Sequence, residues 1–417
     1  MTTTEALSRT NIFAPDLLEC PFPFYRALRA VAPVLRDEAT GFYQISGYDL
    51  VVQVLRDTEN FSNNFAEQLS GGSALPPEII EAANEGYPRV NTMLTADPPV
   101  HTRYRKLVNK AFTPGRVNAL EPEISRIAHE LIDGFIGAGT VELLAGFAQP
   151  LPLRLIATQL GVKLADMEKF RIWSDAFTTL IGQMADTATA LAATRQVVEF
   201  QHYFAAVLAA KRAAPTDDII SDLATVTLEE EGDPRALTDA EALSIIQQIL
   251  VAGNETTANS VVAGMKLLLD HPDQMAAMRA DRALIPGLVE EVLRVSTAVQ
   301  NSWRLVIKPV EIAGVTIPAG ALVLLRLGAA NRDEAVFPDG ENFDPARANA
   351  RKHLSFGLGI HMCLGASLAR KEMTVAFNAL LDRVPDWRFA PRRNDFTHHG
   401  SIMLRGLKAL HLEFGAR

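Results

Sequence analysis

Leu354-Ser355-Phe356-Gly357-Leu358-Gly359-Ile360-His361-Met362-Cys363-Leu364-Gly365 sets three glycines and one cysteine in a short run. Such a loop lets the backbone come close to something flat and bulky. Residues 366–381 follow with helical spacing, Leu368, Val375 and Phe377 among the apolar positions. Cys363 is therefore expected just ahead of a helix N-terminus, where N–H groups and the helix dipole favour the thiolate. A thiolate on that loop is a candidate metal ligand; a small buried hydrophobe is the alternative for any cysteine outside a disulfide.

The surroundings bound the chemistry. The chain has 417 residues, 48% hydrophobic and 21% charged, enough to bury a sizeable core. Its formal charge of −9, from 40 basic and 49 acidic residues, argues against nucleic acid as a partner. Two cysteines, Cys20 and Cys363, make no disulfide framework and point to a reducing, cytoplasmic setting. Residues 1–15 carry no signal-peptide pattern. The most apolar helical run, residues 245–252, is interrupted by Gln247 and Gln248, well short of the roughly 20 apolar residues that span a bilayer. No membrane segment is expected.

Along the chain, Cys20-Pro21-Phe22-Pro23-Phe24-Tyr25 opens a short helix, and residues 34–52 alternate as a hairpin around Gly41. Residues 62–91, with Gly71-Gly72 and three prolines, read as a long, partly helical binding loop. Pro98 and Pro99 start a helix on which His101 and Arg105 share a face. They form either a solvated basic helix or a pair of donors aimed at an anion. Helices dominate residues 121–211, and acidic residues 217–233 read as a solvated connector.

Thr238-Asp239-Ala240-Glu241 is a capping box, and the periodicity behind it runs to residue 269 before His271-Pro272. A helix of that length measures on the order of 48 Å at 1.5 Å per residue. Its middle, Val251-Ala252-Gly253-Asn254-Glu255-Thr256-Thr257, holds poor helix formers, and threonine hydroxyls can bond back to earlier carbonyls. A kink is expected there. Glu291 and Arg294 stand three apart on a later helix, a spacing that by itself often means a surface ion pair. Residues 303–327 alternate like strands, and residues 386–414 return to short strands after the cysteine helix.

Together these stretches resemble the cytochrome P450 family, over nearly the whole chain from about Phe22. The loop matches Phe-x-x-Gly-x-x-x-Cys-x-Gly at Phe356, Gly359, Cys363 and Gly365, and the long helix matches Ala-Gly-x-Glu-Thr-Thr at Ala252, Gly253, Glu255, Thr256 and Thr257. Glu291 and Arg294 match Glu-x-x-Arg, with Arg347 where the family has a third, meander arginine. The resemblance implies one P450 domain over residues 1–417, mainly α with small β-regions near 34–55, 303–327 and 386–415. It implies a triangular prism with haem between the long distal helix and the helix after Cys363.

The same resemblance implies haem b on the Cys363 thiolate, with Leu364 and Gly365 giving N–H groups near the sulfur. His101, Arg105, Arg304 and His361 would take the propionates, while Ala252 and Gly253 would flank the haem. Thr256 would hydrogen-bond the oxygen under activation and Glu255 would bring protons to it. Glu291, Arg294 and Arg347 would be structural. Gln248, Val251, Ala252, Val299, Gln300 and Ile402 would line the substrate pocket, with polar Gln248 suggesting an oxygen-bearing substrate and Arg89 a carboxylate anchor. The implied protein is a cytoplasmic, monomeric monooxygenase of a small hydrophobic substrate. Dioxygen is its co-substrate, and electrons come from NAD(P)H through ferredoxin reductase and ferredoxin, separate proteins docking near Arg103, Lys106, Lys110, Arg116, Arg351, Lys352, Arg370 and Lys371. A peroxide-driven peroxygenase and a non-enzymatic haem-thiolate sensor are the competing readings; neither needs Glu255 and Thr256. Cys20 matches no motif and is expected to be packed.

Overall fold

The computed structural model describes residues 2–69, 75–181, 186–216, 218–230 and 233–415. The Gly71-Gly72 pair, Asp217 and Glu231 lie outside the described residues. Labels are kept for the helices α1 (Val100–Asn109), α2 (Thr187–Ala213), α3 (Asp239–Asp270), α4 (Ile285–Ser296) and α5 (Ala366–Arg383). The labelled strands are β1 (Val34–Arg36), β2 (Tyr43–Ile45), β3 (Phe61–Ser62), β4 (Asn301–Val306) and β5 (Leu322–Arg326). The chain is mainly helical and divides into two compact units by contact. One comprises Met1–Leu69, Val117–Leu151 and Thr256–Arg417; the other comprises Ser70–Arg116 and Pro152–Glu255. The division falls inside α3, between Glu255 and Thr256.

The larger unit holds a five-stranded sheet in the order β1-β2-β5-β4-β3. Its neighbours are antiparallel except β2 and β5, which run parallel. Gly41, at φ 75°, supplies the left-handed turn between β1 and β2. Ile45, Val323 and Leu325 are fully buried on one apolar face, and Trp303 and Leu324 are buried on the other. The β-pattern does not continue to residue 55 as expected. Residues Tyr48–Arg56 form a helix, whose buried Val51, Val54 and Leu55 recur at helical rather than alternate spacing. A strand at Thr140–Glu142, unforeseen in a region read as all helix, pairs with His411–Glu413.

In the smaller unit, the helix Met167–Ile181 and α2 pack through a cluster of rings. Phe200 stands 5.9 Å from Trp173, 5.0 Å from Phe177 and 4.7 Å from Phe204. The acidic stretch read as a solvated connector is folded: Ile219–Thr225 is a helix burying Ile219, Ile220 and Leu223, and Thr227–Glu230 pairs with Asp233–Ala236. Apolar residues set its structure and the charges decorate it.

The capping box of α3 is made in both directions. Thr238 Oγ1 accepts the Glu241 N–H at 3.3 Å, and Glu241 Oε2 accepts the Thr238 N–H at 2.7 Å. The expected kink does not break the helix, which is α-helical without interruption through Gly253 and Thr257. Its polar residues are bonded to neighbours: Asn254 donates to Ser174 Oγ at 3.0 Å, and Thr257 pairs with Glu372. The back-bond comes from Ser260, whose hydroxyl donates to the Thr256 carbonyl at 2.8 Å.

Candidate active site

The cysteine loop is held by the protein's own backbone. Gly357 and Gly359 take φ of 65° and 75°, conformations that side chains resist. A Cβ at Gly359 would stand 2.6 Å from the Leu55 carbonyl, so the close approach at this glycine is to the helix Tyr48–Arg56. The Cys363 N–H donates to the Phe356 carbonyl at 2.8 Å, closing the loop between motif residues seven apart. Helix α5 starts at Ala366 with Gly365 as its N-cap, which puts an exposed Cys363 just before the helix. Cys20, expected to be packed, is also exposed, because it lies at the end of the helix Pro15–Glu19 and outside the core.

Behind the loop, Glu291 and Arg294 are fully buried and paired through two bonds of 2.7 and 2.8 Å. Arg294 also donates to the carbonyls of Asn331, Gly340 and Asn342, and Glu291 accepts the Asp344 N–H and Arg347 Nε. Glu291 thereby joins α4 to residues 331–347, a stretch with neither helix nor strand. Asn331 continues the framework to the cysteine loop, accepting the Leu354 N–H at 2.6 Å and donating to Ser355 Oγ at 2.8 Å.

In this larger unit Thr256 is half-buried on α3. Arg304 is buried on β4, donating to Ser302 Oγ and the Trp303 carbonyl, and His361 ends the short helical turn Gly359–His361. Val299 bridges to Leu404, and the Gln300 N–H donates to the Met403 carbonyl, so both lie beside the turn bearing Ile402. The Gln300 side chain is buried, and its amide caps α4 through the carbonyls of Ser296 and Thr297.

In the smaller unit, Glu255 is bonded to Thr178 with Asp175 nearby. Burial raises its carboxyl above the usual range; the Thr178 bond opposes this and the Asp175 charge adds to it. His101 is buried on α1 and Arg105 Nε donates to Asn109 Oδ1 at 3.1 Å. Burial, then the Arg105 charge, holds the His101 imidazole below its usual pKa, with Asp97 opposing. Ala252 is exposed, Val251 is half-buried, and a Cβ at Gly253 would meet nothing within 4 Å.

Gln248, read as a pocket residue, has its Oε1 accepting the Leu94 N–H at 3.2 Å. It belongs to a series with Ser244 Oγ, which accepts the Val90 N–H at 3.0 Å, and Gln201, which both accepts from and donates to the Tyr87 backbone. These three side chains hold residues 87–94 by their main chain. Arg89 on that stretch is exposed.

Among the described residues, sequence reasoning missed three buried carboxylates, Asp37, Glu290 and Glu372. Glu372 does lie four residues after buried Leu368 on the apolar face of α5, a signal that was available.

Known proteins resemble the chain closely. The sequence profile of the family Cytochrome P450 matches residues 187–384. Cytochrome P450 monooxygenase PikC of Streptomyces venezuelae is 39% identical over 401 residues, covering 95% of this chain and 91% of PikC. The chain belongs to the cytochrome P450 family. A second P450 relative, the 6-deoxyerythronolide B hydroxylase of Saccharopolyspora erythraea, is 36% identical over 93% of this chain and 94% of its own. The solved structure of cytochrome P450 CYP109Q5 from Chondromyces apiculatus aligns at a TM-score of 0.85, with 37% identity and 99% of both chains covered. This P450 is an oxidoreductase, a monooxygenase, and its family implies haem-thiolate chemistry with dioxygen. The residues present fit such a group: Cys363 is exposed on its loop, and a Cβ at Gly365 would meet nothing within 4 Å. Among the described residues no helix is long and apolar enough to cross a membrane.

Proposed function

We propose that this P450 inserts one oxygen atom from dioxygen into a small hydrophobic organic substrate, drawing electrons from NAD(P)H through ferredoxin reductase and ferredoxin in the cytoplasm. The observation that carries it is Cys363, exposed ahead of α5 and held by its N–H on the Phe356 carbonyl. Cys363 gives its thiolate as the iron ligand of haem b, near the N–H groups of Leu364 and Gly365. His101, Arg105, Arg304 and His361 take the propionates, with the arginines able to use two N–H groups each. Bound in this way, the haem supplies the redox-active iron for dioxygen activation. The 417 residues act as one catalytic domain, and as a monomer.

Thr256 holds the reacting oxygen or its water with its hydroxyl, and Glu255 hands protons toward that hydroxyl. The raised pKa of Glu255 supports this role, because a carboxyl that keeps its proton longer is a better acid near neutrality. A peroxide-driven enzyme would have no use for that arrangement.

Val251, Ala252, Val299 and Ile402 border the substrate. Gln248 gives no support for an oxygen-bearing substrate, since its carbonyl oxygen is bonded to Leu94. Electron-partner docking rests on fewer cations than the sequence offers. Arg116 pairs with Asp222 at 2.7 Å, Lys371 with Glu121 at 2.6 Å and Arg370 with Glu290 at 2.7 Å. Arg351 also stands 3.7 Å from Glu290, which leaves the exposed Lys106, Lys110 and Lys352 to carry most of the attraction for an acidic ferredoxin.

The test is the absorption spectrum of the reduced, carbon-monoxide-bound protein. A thiolate-type Soret band is expected, and a histidine-type band would overturn the assignment. Turnover with ferredoxin, its reductase and NAD(P)H, set against turnover with peroxide alone, then decides the electron source. Substrates are found by the spin-state shift that they induce.

A further inference from the structure

Glu290 and Glu291 are consecutive on α4, and their carboxylates serve different parts of the chain. Glu291 joins the meander, as described. Glu290 is buried and accepts Arg370 Nε at 2.7 Å and Arg370 Nη2 at 3.0 Å, a two-pronged pair reaching α5. Its Oε2 also stands 3.1 Å from His353 Nε2. Burial alone would raise this carboxyl, but the bonds from His353 and Arg370 and the charge of Arg370 hold it down at about 2.

The His353 tautomer follows from its other nitrogen. Nδ1 accepts the Ser355 N–H at 3.2 Å, so the ring proton sits on Nε2 and is donated to Glu290. Burial depresses the imidazole pKa further, which fits a neutral ring between an anion and a backbone donor.

A third partner, the exposed Arg351, stands with its Nε 3.7 Å from Glu290 Oε1, while the two groups hydrogen-bonded to Glu290 bear on one aromatic ring. The Arg370 guanidinium lies 4.6 Å from the centroid of Phe356, and the His353 ring lies 5.5 Å from the same ring. Phe356 is also the residue whose carbonyl accepts the Cys363 N–H. A short physical path therefore runs from Glu290 through Arg370 and His353 to Phe356, and from there to the cysteine.

We propose that Glu290 is a positioning residue for the iron ligand, fixing Phe356 through Arg370 and His353 and so setting the placement and electron donation of the Cys363 sulfur. The proposal rests on the reading of Cys363 as the haem ligand. Outer-shell groups of this kind tune a metal without touching it.

Three variants of the haem-loaded protein test it. Glu290→Gln keeps the shape and removes the charge. Arg370→Lys, at a side chain only partly buried, keeps the charge but loses the fork and the flat face over Phe356. Leu28→Ala, in a separate apolar cluster, serves as a purely structural control. Melting temperature, the reduced carbon-monoxide spectrum and the iron midpoint potential are measured for each.

Glu290→Gln and Arg370→Lys are expected to lose part of the thiolate-type Soret band and to shift the potential, whereas Leu28→Ala lowers the melting temperature and leaves both unchanged. Wild-type bands and potential in both variants would overturn the proposal, as would equal changes in Leu28→Ala. If Glu290→Gln does not fold, Arg370→Lys decides alone. A histidine-type band in the unmutated protein would instead remove the ligand reading itself, and the proposal with it.

Discussion

Glu372, buried in α5, shares a hydrogen bond with the Thr257 side chain of α3. Burial pushes its carboxyl up to about 8, with the Thr257 bond opposing, so the folded chain holds a proton there that the unfolded chain releases near the ordinary carboxylate value. The contribution to stability is fully present below the unfolded pKa and is lost as pH rises through about 8. Glu372→Gln removes this dependence. The variant should overtake the wild type as pH rises, by up to roughly 1.4 kcal/mol per pH unit across the window. Melting curves from pH 5 to pH 9 check it, and parallel curves for the two proteins would contradict it.

Arg294 is fully buried and serves Glu291 together with three carbonyls. Arg294→Ala leaves Glu291 charged and only partly matched, at a cost of about 3–5 kcal/mol. The expected result is a chain that fails to take up haem, read from the ratio of Soret to protein absorbance. A stable, fully loaded variant would refute the structural role.

Thr256→Ala should bind haem normally and consume reducing equivalents without matching product. The ratio of product formed to NAD(P)H oxidised measures this, and an unchanged ratio would remove Thr256 from the oxygen chemistry.

Glu255→Gln removes the proposed proton donor, whose pKa burial raises. Turnover should slow by on the order of 100-fold, with little change in substrate affinity. A solvent isotope effect larger than that of the wild type would accompany the loss; an unaltered rate would count against the role.

Gln201 bonds both the N–H and the carbonyl of Tyr87, and a Cβ at Gly86 would collide with its side chain. Gln201→Ala removes two bonds worth roughly 1 kcal/mol each, so amide exchange around Tyr87 should rise roughly 30-fold. Hydrogen-exchange mass spectrometry over residues 85–94 reads it directly. Unchanged protection would mean that the loop is held elsewhere.

The parts of this protein legible in its sequence are those whose causes are local. The cap of α3 lies in Thr238 and Glu241, three residues apart, and the start of α5 follows directly on Gly365. The strand Thr140–Glu142 was illegible, because three residues are too few to show a period and its partner His411–Glu413 is remote in the chain. Helix Tyr48–Arg56 was hidden by the β-branched Val51 and Val52, whose strand preference outweighed the helical spacing of Val51, Val54 and Leu55.

In the site, motif residues could be named because the family fixes their order, but their partners could not. Glu290 reads like any exposed glutamate beside Glu291, and its partner Arg370 lies far along the chain. Gln248 reads as a substrate contact because it lies two turns before Thr256 and borders the same face of the helix. Its partner is a backbone N–H of a distant loop.

The bonds that shape the cysteine loop have one property in common. The Cys363 N–H to Phe356, the Asn331 clasp on Leu354 and Ser355, and the packing of Gly359 on Leu55 are all made by the polypeptide alone. These contacts offset part of the entropy of ordering the loop from within the chain. The loop's shape is thus written largely into the chain's own bonds, so that a substitution breaking one of them is expected to be felt at Cys363 even though it touches no cofactor.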